Sequence, residues 1–423
     1  MSTKNFEDLI KEVHEKGICQ ECGGCVSFCS SAQYDIIGFK DTDSPPEYLH
    51  KDQCLECGIC YYICPQTHIL DEDLNRTYNF TDFSLMPLGN FDNIYSCQAT
   101  DKDFLKYGTD GGVVNSILNF MLERKMLDGA IVSKTRAAFS REASFASNKD
   151  ELLRNAGIKL DISSQLDEIQ KFSTYTRTIP ELNHYKFKKL AVIGTSCQIN
   201  TIRCMQDLGV TPSENIEICL GLFCFESFSL SKTQIKKFEK NFNINVSDIE
   251  KINIKEDVIF KLRDDGNGDK IIHIPFNHLK NYMRPACNAC SDFTNIYADI
   301  SFGGLGSADK YTTVITRTEK GKKLATQVKF VIISCQSSYA LAQRSEYLDV
   351  ARGFGAEITL DTCVFHTPMV GGDTKVIMTN SGKCAYYAPG ELGVKVAFGT
   401  MADCVASAVV GCVCRKEGLW KGS

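Results

Sequence analysis

The sequence predicts a protein of mixed α+β and α/β class that is divided into three parts. Eight of the 21 cysteines lie within residues 1–85, in two short runs separated by a polar linker. Residues 86–325 alternate apolar, strand-like runs such as KLAVIG with helical stretches. Residues 326–423 repeat this alternation on a smaller scale. We therefore expect a cysteine-rich module, a central domain with a mixed sheet and a small C-terminal α/β unit.

The composition excludes several classes of partner. Hydrophobic residues make up 43% of the chain and charged residues 23%, which is ordinary for a globular protein. A formal net charge of -5 offers no basic excess to attract nucleic acid or an anionic membrane. No apolar run reaches the roughly 18 residues of a spanning helix, and no signal peptide is apparent. We expect a cytoplasmic protein that could dock to a membrane complex only peripherally.

The two N-terminal cysteine runs share one spacing, C-x2-C-x2-C-x3-C. This is the spacing that binds [4Fe–4S] clusters in bacterial-type ferredoxins, where the fourth cysteine of each run binds the cluster of the other run. One cluster is thus predicted at Cys19, Cys22, Cys25 and Cys64. The other is predicted at Cys54, Cys57, Cys60 and Cys29. The alternative is a pair of zinc sites, which rarely use four cysteines at this spacing twice.

A second set of cysteines lies in the central part of the chain and consists of Cys197, Cys224, Cys287 and Cys290. Two of these cysteines directly follow apolar strands, where a parallel sheet presents ligand-binding residues at its carboxyl edge. The four thiols could therefore meet in a third metal site. For Cys197 and Cys224, burial as small apolar side chains is the alternative, and the spacing alone does not decide between the two.

Two glycine-rich turns are candidates for cofactor binding. GTDGG (108–112) precedes an apolar-periodic helix, so that its backbone N–H groups and the helix N-terminus are available to a phosphate. FGGLGS (302–307) is a similar turn, and no GxGxxG fingerprint follows a strand. An ordinary helix start with Asp110 as N-cap is the alternative. The candidate cofactor-binding residues are Gly108, Thr109, Asp110, Gly111, Gly112, Gly194 and Thr195.

Six segments occur in one order along the central part: GTDGGVVNSIL, DGAIVS, AVIGTSCQINTIR, CLGLFCFESF, RPACNACSDFTNIYADISFG and TTVITRTEKG. This ordered set resembles the beta subunit family of coenzyme F420-reducing hydrogenase and its dehydrogenase relatives, in which F420 names a deazaflavin coenzyme. With the cysteine runs included, residues 1–325 resemble the electron-input subunit of F420H2 dehydrogenase.

The resemblance implies an iron-sulfur flavoprotein with three [4Fe–4S] clusters and FAD. It places the third cluster at the four central cysteines, near the flavin, and implies hydride exchange between FAD and coenzyme F420. Electrons would pass to ferredoxin or to a redox protein complex. The catalytic residues are unknown because the chemistry is centred on the flavin, and Arg203, Lys134 and Arg284 are candidates, by charge alone, for tuning it. The alternative is an electron-wiring subunit of a hydrogenase, formate dehydrogenase, sulfite reductase or glutamate synthase.

The C-terminal part has a different resemblance. ARGFGAEITLDTC, VIMTNSGKCAYYAPG and VKVAFGTMADCVASAVVG resemble the C-terminal part of the aconitase X large subunit, a family of cluster-dependent dehydratases, with Cys363 where an iron ligand would be expected. The rest of such an enzyme has no counterpart here, so a dehydratase is the least favoured hypothesis. The other thiols match no cluster motif and are expected to be core or incidental: Cys335, Cys384, Cys404, Cys412 and Cys414.

Overall fold

The chain folds into two compact units, Met1–Gly321 and Lys322–Ser423. The computed structural model describes residues 4–33, 35–40, 44–80, 82–133, 143–158, 165–172, 189–255, 257–263, 270–325, 331–345, 347–348, 351, 356–363, 365, 369–370, 374–410 and 413. Among these residues, no helix combines the length and the apolar character that crossing a membrane would require.

The strands are numbered in chain order. They are β1 Ile37–Gly38, β2 Glu47–Tyr48, β3 Asn93–Cys97, β4 Gly129–Ser133, β5 Ala143–Ala146, β6 Leu190–Gly194, β7 Ile216–Leu222, β8 Ile249–Ile254, β9 Val258–Leu262, β10 Ile271–Ile274, β11 Ile300–Gly303, β12 Thr312–Thr316, β13 Val331–Ser334, β14 Glu357–Leu360, β15 Val376–Thr379 and β16 Lys395–Phe398.

The α-helices are numbered in the same way. They are α1 Phe6–Leu9, α2 Gly24–Gln33, α3 Ile59–Tyr62, α4 Asp71–Thr77, α5 Lys102–Tyr107, α6 Val113–Glu123, α7 Lys149–Arg154, α8 Gln165–Ile169, α9 Ser196–Asp207, α10 Lys232–Phe242, α11 Glu319–Ala325, α12 Gln336–Arg344, α13 Gly382–Leu392 and α14 Met401–Val410. A π-helical turn, Ile10–His14, continues α1.

The centre of the first unit is a seven-stranded sheet of order β3-β12-β11-β7-β6-β4-β5. Strands β4, β6, β7 and β11 run parallel, whereas β12 and β5 pair antiparallel with their neighbours. The run LAVIG of β6 is buried at every position, as expected of a parallel strand covered on both faces. The predicted mixed sheet is confirmed.

The strand directions bring several predicted site residues to one edge of this sheet. Strand β3 pairs antiparallel with β12, and β12 pairs antiparallel with β11, so β3 and β11 point the same way. The strands β3, β4, β6, β7 and β11 therefore end at a common edge, where ligand-binding loops usually lie in α/β sheets. Their last residues are Cys97, Ser133, Gly194, Leu222 and Gly303.

The cysteine-rich segment, which comprises the described residues before 81, has its own core and also shares one with the sheet. Phe6, Leu9 and Tyr61 belong to the core beneath its cysteine loops. Ile63 and Leu74 belong instead to the cluster that contains buried residues of β6 and α9. Burial of apolar side chains on both sides fixes this segment against the sheet, since such burial is the main stabilising term in folding.

A three-stranded antiparallel sheet, β10-β9-β8, extends the first unit. Helix α10 packs on it through Phe238, whose ring makes edge contacts with Phe260 and Tyr282. The alternating burial of β9 shows that one of its faces is buried and the other is partly exposed.

The second unit contains the four strands that the sequence predicts, paired in parallel as β13 with β14 and β15 with β16. Helix α13 follows β15 and buries Cys384 and Ala388 against Val394. The burial of Cys384 agrees with its expected role as a core thiol.

Candidate redox site

The cysteines of the N-terminal segment form two groups of thiols. The first thiol group comprises Cys19, Cys22, Cys25 and Cys64. Burial raises the pKa of Cys25 well above its ordinary value, and repulsion from the three other thiols of the group adds to the effect. Burial likewise raises the pKa of Cys64, and Cys22 and Cys19 contribute in the same direction. These interactions require the four sulfurs to lie close together.

The second thiol group comprises Cys29, Cys54, Cys57 and Cys60, all of which line one cavity of about 240 Å³. Apolar side chains, including Phe28 and Ile37, complete the wall. The surrounding loop turns through left-handed backbone at Glu56 and Gly58. Burial, followed by repulsion from Cys54 and Cys57, raises the pKa of Cys29 to about 12. Four thiols around an apolar cavity match the donor set of an iron-sulfur cluster.

The two groups exchange their fourth members, as the spacing predicts. Cys29 lies on α2, which begins inside the first run, yet its sulfur interacts with the thiols of the second run. Cys64 follows α3 of the second run and interacts with Cys22 and Cys19. The two groups are also neighbours, because Cys60 contributes to the raised pKa of Cys25. Their assignment as cluster ligands stays a prediction.

A third thiol group joins Cys197, Cys224, Cys287 and Cys290. Burial raises the pKa of Cys224, and the other three thiols add to it. Cys197 lies in the first turn of α9, Cys224 follows β7, and the remaining pair lies in and after a short 3-10 helix, Pro285–Ala289. The alternative in which the strand-end thiols are separate core residues does not explain this convergence.

The third thiol group adjoins the first. Burial raises the pKa of Cys197, and the next largest contribution is repulsion from Cys22. The Gln20 Nε2 group, from the first cysteine run, donates a hydrogen bond of 3.6 Å to Cys287 Sγ. The three groups thus form a series, with the first group between the third and the second.

Within the described residues, no three His, Cys, Asp or Glu side chains converge closely enough to hold a single metal ion. A [4Fe–4S] cluster has a different requirement, because each thiolate binds its own iron atom and the four sulfurs surround the whole cluster.

The two glycine turns lie side by side at the same sheet edge. Gly111 N–H donates to Thr312 Oγ1 at 3.0 Å, and an added Cβ on Gly111 would lie 2.6 Å from Cys97 O. An added Cβ on Gly304, in the second turn, would lie 2.3 Å from a carboxylate oxygen of Asp110. The first turn therefore needs glycine for close backbone approach, and in the second turn Gly304 leaves room for the Asp110 carboxylate.

The alternative in which Asp110 caps α6 is wrong. The N-cap residue is Gly112, with φ of 65°, and no side chain caps this helix start. Asp110 itself has positive φ and a pKa raised by burial, with the nearby cations Lys255 and Lys251 opposing the effect. In this described region, the buried Thr109 Oγ1 has no hydrogen-bond partner. An uncapped helix start with a hydroxyl beside it suits a phosphate.

Phe223 connects the glycine turns to the third thiol group. Its ring occupies the space beside Gly303, where an added Cβ would lie 1.9 Å from it. Its N–H donates to Phe302 O at 2.7 Å, and Cys224 is the next residue. This backbone hydrogen bond ties the carboxyl ends of β7 and β11 together, so that the second glycine turn and the third thiol group are neighbours.

Gly194 and Thr195 contact the residues around Cys197. Gly194 O accepts a hydrogen bond of 3.0 Å from Asn295 Nδ2. Thr195 Oγ1 lies 3.3 Å from Cys197 Sγ, and Thr195 N–H donates to Gln198 Oε1 at 2.9 Å. These contacts support the start of α9 and its thiol, while the expected contact of this pair with a cofactor stays a prediction.

Two of the three candidate cations are engaged in buried ion pairs. Arg203 pairs with Asp299 at 3.0 Å and stacks on the ring of Tyr78 at 4.9 Å. Arg284 makes two contacts of 3.1 Å with the Glu21 carboxylate. Both arginines are thus structural cations in the described fold, and Lys134 lies outside the described residues.

Sequence reasoning missed the polar partners of the sites. Gln20 and Glu21 stand between two predicted ligands of the first run, and Thr201 stands one helical turn after Cys197. Their positions beside cluster ligands are a local signal that could have drawn attention to them. Their partners across the fold could not have been identified from spacing, which reports only local geometry.

The remaining thiols fall into three classes. Cys204 and Cys219 are buried in the core beside the sheet. Cys335 is exposed, whereas Cys97, at the end of β3, Cys363, just after β14, and Cys404, on α14, are partly exposed. Cys412 and Cys414 lie outside the described residues.

Three family matches lie between residues 94 and 410. Residues 94–170 match "Coenzyme F420 hydrogenase/dehydrogenase, beta subunit N-term", and residues 187–332 match the C terminus of the same subunit. Residues 307–410 match "Aconitase X third domain". Both resemblances seen in the sequence are therefore confirmed.

Curated relatives agree with the first two matches. The coenzyme F420 hydrogenase subunit beta of Methanococcus voltae is 30% identical over 56% of this chain and 81% of its own length. A subunit of the F(420)H(2) dehydrogenase of Methanosarcina mazei is 23% identical, over 76% of this chain and 85% of its own length.

A third relative is longer than this chain. The coenzyme F420-dependent sulfite reductase of Methanocaldococcus jannaschii is 28% identical over 77% of this chain, which spans only 48% of that enzyme. The matched length, the order of the motifs and the hydrogenase relative together establish one conclusion. The chain belongs to the coenzyme F420 hydrogenase/dehydrogenase beta subunit family.

Proposed function

We propose that this protein oxidises reduced coenzyme F420 and delivers the electrons one at a time to a ferredoxin or a redox protein complex. Each coenzyme oxidised releases two electrons and two protons, so two one-electron acceptors are reduced. FAD, when bound, would accept the electron pair and release single electrons, and [4Fe–4S] clusters would carry these singly. The reverse reaction, from reduced ferredoxin to coenzyme F420, uses the same residues.

One observation carries this proposal: the third thiol group adjoins the glycine turns on one side and the first thiol group on the other. Phe223 packs against Gly303 and immediately precedes Cys224. On the opposite side, Gln20 donates to Cys287 Sγ. A site that binds a two-electron carrier next to a series of one-electron carriers is the arrangement that this chemistry needs.

The residues of each site fit the groups we propose. Four thiols per group supply the donor set of a [4Fe–4S] cluster, and the cavity of about 240 Å³ at the second group gives it room. At the glycine turns, Gly111 and Gly112 pack closely against the protein backbone, and the uncapped start of α6 offers N–H donors to a diphosphate. The Thr109 hydroxyl is a further potential donor, because Thr109 Oγ1 has no hydrogen-bond partner among the described residues.

A second candidate is an electron-wiring subunit that transfers electrons for a separate catalytic chain. The sulfite reductase relative favours it, because this chain spans only about half of that enzyme. A dehydratase is not proposed, since the aconitase X match covers a single domain of that family.

The first experiment is an anaerobic purification of the full chain with determination of iron, sulfide and FAD, followed by addition of reduced coenzyme F420. We expect about twelve irons for three clusters and about one FAD per chain. Bleaching of the visible spectrum and reduction of an artificial acceptor should follow. A loaded chain that reduces no acceptor with this coenzyme would favour the wiring subunit, and about eight irons without FAD would contradict the proposed central site.

A matched pair of cysteine variants tests the third group. Cys197→Ala removes a proposed ligand at the start of α9, and iron should fall by up to about four atoms per chain. Cys204→Ala removes another thiol of the same helix, which faces the core, and iron should stay at the wild-type amount. Equal iron in the two variants would refute the assignment of Cys197.

A further inference from the structure

Among the hydrogen bonds that cross between the cysteine-rich segment and the sheet domain, two end at a thiol of the opposite part. Gln20 Nε2 donates to Cys287 Sγ at 3.6 Å. In the other direction, Thr201 Oγ1 lies 3.8 Å from Cys22 Sγ. Gln20 belongs to the first cysteine run and Thr201 to α9, so each part of the protein places a polar group beside a sulfur of the other part.

The surroundings hold both contacts in place. Gln20 is 5% exposed and Thr201 is 1% exposed, so bulk water competes little for either side chain. The Glu21–Arg284 pair lies next to Gln20 and joins the same two parts through two contacts of 3.1 Å. The Thr201 hydroxyl also bonds Cys197 O at 2.9 Å, which fixes its position on the helix.

Close packing brings α9 against the first cysteine run. An added Cβ on Gly24 would lie 2.2 Å from Thr201 Cγ2. The absence of a side chain at Gly24 is therefore what allows the Thr201 hydroxyl to reach Cys22. The first run thus contributes three residues to the junction with the sheet domain, namely Gln20, Glu21 and Gly24.

We propose that Gln20 and Thr201 are tuning residues, which set the reduction potentials of the clusters at the third and first thiol groups by donating across the junction between them. This proposal rests on the function proposed above. Each residue acts through a ligand sulfur, so neither needs to contact a substrate.

The physical basis is that reduction adds negative charge to a cluster. A donor to a ligand sulfur stabilises the more negative, reduced state more than the oxidised state, and hydrogen bonds to the sulfurs are among the terms that set cluster potentials. A thiolate only accepts hydrogen bonds, so in the loaded protein the Gln20 amide must face it with its NH2 group. The Thr201 hydroxyl has one proton for two acceptors, and the charged sulfur of Cys22 would compete for it with Cys197 O.

The test is a potentiometric titration of the anaerobically purified full chain, followed by electron paramagnetic resonance. Thr201→Val keeps the shape and removes the hydroxyl, and Gln20→Met removes the amide donor. We expect each to lower the midpoint potential of a different cluster by up to about 59 mV, which is a tenfold change in the ratio of reduced to oxidised cluster for one electron. Thr201→Ser, which keeps the hydroxyl, should retain the wild-type potential.

Iron content separates the possible outcomes. Variants with wild-type iron but unshifted potentials would overturn the tuning role and leave the proposed function intact. A wild-type chain with fewer than three clusters would remove the proposed function and this inference together. If Thr201→Val does not bind its clusters, Thr201→Ala is measured in its place. If Gln20→Met does not bind them, Gln20→Leu is measured instead. A shift of the same cluster by both substitutions would also refute the reciprocal arrangement.

Discussion

Gly24→Ala is predicted to destabilise the first unit by steric conflict at the junction with α9. The new Cβ would lie 2.2 Å from Thr201 Cγ2, whereas Leu166 Cδ1, at 3.7 Å, is in ordinary contact. Thr201 is β-branched and 1% exposed, so its methyl group can move only if the side chain rotates or the backbone shifts. Rotation would take Oγ1 away from Cys197 O. Overpacking of this kind typically costs about 1–3 kcal/mol.

The assay is thermal unfolding of the anaerobically purified full chain, with iron content measured in parallel. For a unit of this size, each kcal/mol should lower the midpoint by on the order of 2 °C. The double variant with Gly24→Ala and Thr201→Ser lacks the obstructing methyl group and should recover most of the lost stability. Its destabilisation should therefore be smaller than the sum of the destabilisations of the two single variants. Gly382→Ala is the control, because an added Cβ there meets nothing within 4 Å.

A steric origin is refuted if Gly24→Ala unfolds at the wild-type temperature. It is refuted equally if the double variant is no more stable than Gly24→Ala, because the cost would then arise elsewhere than at Thr201.

Three further predictions concern separate sites. Arg203→Met leaves the carboxylate of its ion pair buried and uncompensated, so urea unfolding should show a loss of about 3–5 kcal/mol; a loss below about 1 kcal/mol would contradict the structural role. Hydrogen bonds from Ser337, then Ser338, lower the pKa of Cys335 to about 7. Its alkylation, followed by peptide mass spectrometry, should therefore rise with pH through about 7, and alanine at both serines should move the midpoint upward; an unchanged midpoint would refute this cause. Gly111→Ala should reduce FAD per chain without reducing iron, because the added Cβ would strike backbone; undiminished FAD would argue against the glycine-turn site.

The local spacing of the cysteine runs was sufficient to predict how their thiols group. A run of C-x2-C-x2-C confines three sulfurs to one loop, and the exchange of Cys29 and Cys64 is the arrangement typical of two-cluster bacterial ferredoxins. The convergence of Cys197 with Cys224 was only an open possibility, because strand order decides which strand ends are neighbours. The sequence does not report that order directly.

The start of α6 shows where local rules failed. Asp110 has the chemistry of an N-cap, yet it adopts positive φ and packs against Gly304, nearly two hundred residues away in the chain. Gly112 is therefore the N-cap residue of α6, and it has no side chain that could accept a hydrogen bond from the helix. A tertiary contact overrode the local capping preference, and it did so at the turn for which we propose phosphate binding.

Helix α9 shows how one element can fix the distance between two redox sites. Residues four apart lie on the same face of a helix, so Cys197 and Thr201 point toward the thiol groups together. Ile199 and Ile202 are fully buried in the core shared with the cysteine-rich segment. Arg203 anchors the same helix to Asp299. Because the face that meets Cys22 and the face that packs in the core belong to one rigid helix, the spacing of the first and third thiol groups is set by helical geometry and core packing, and changes in the surface loops should leave it unaltered.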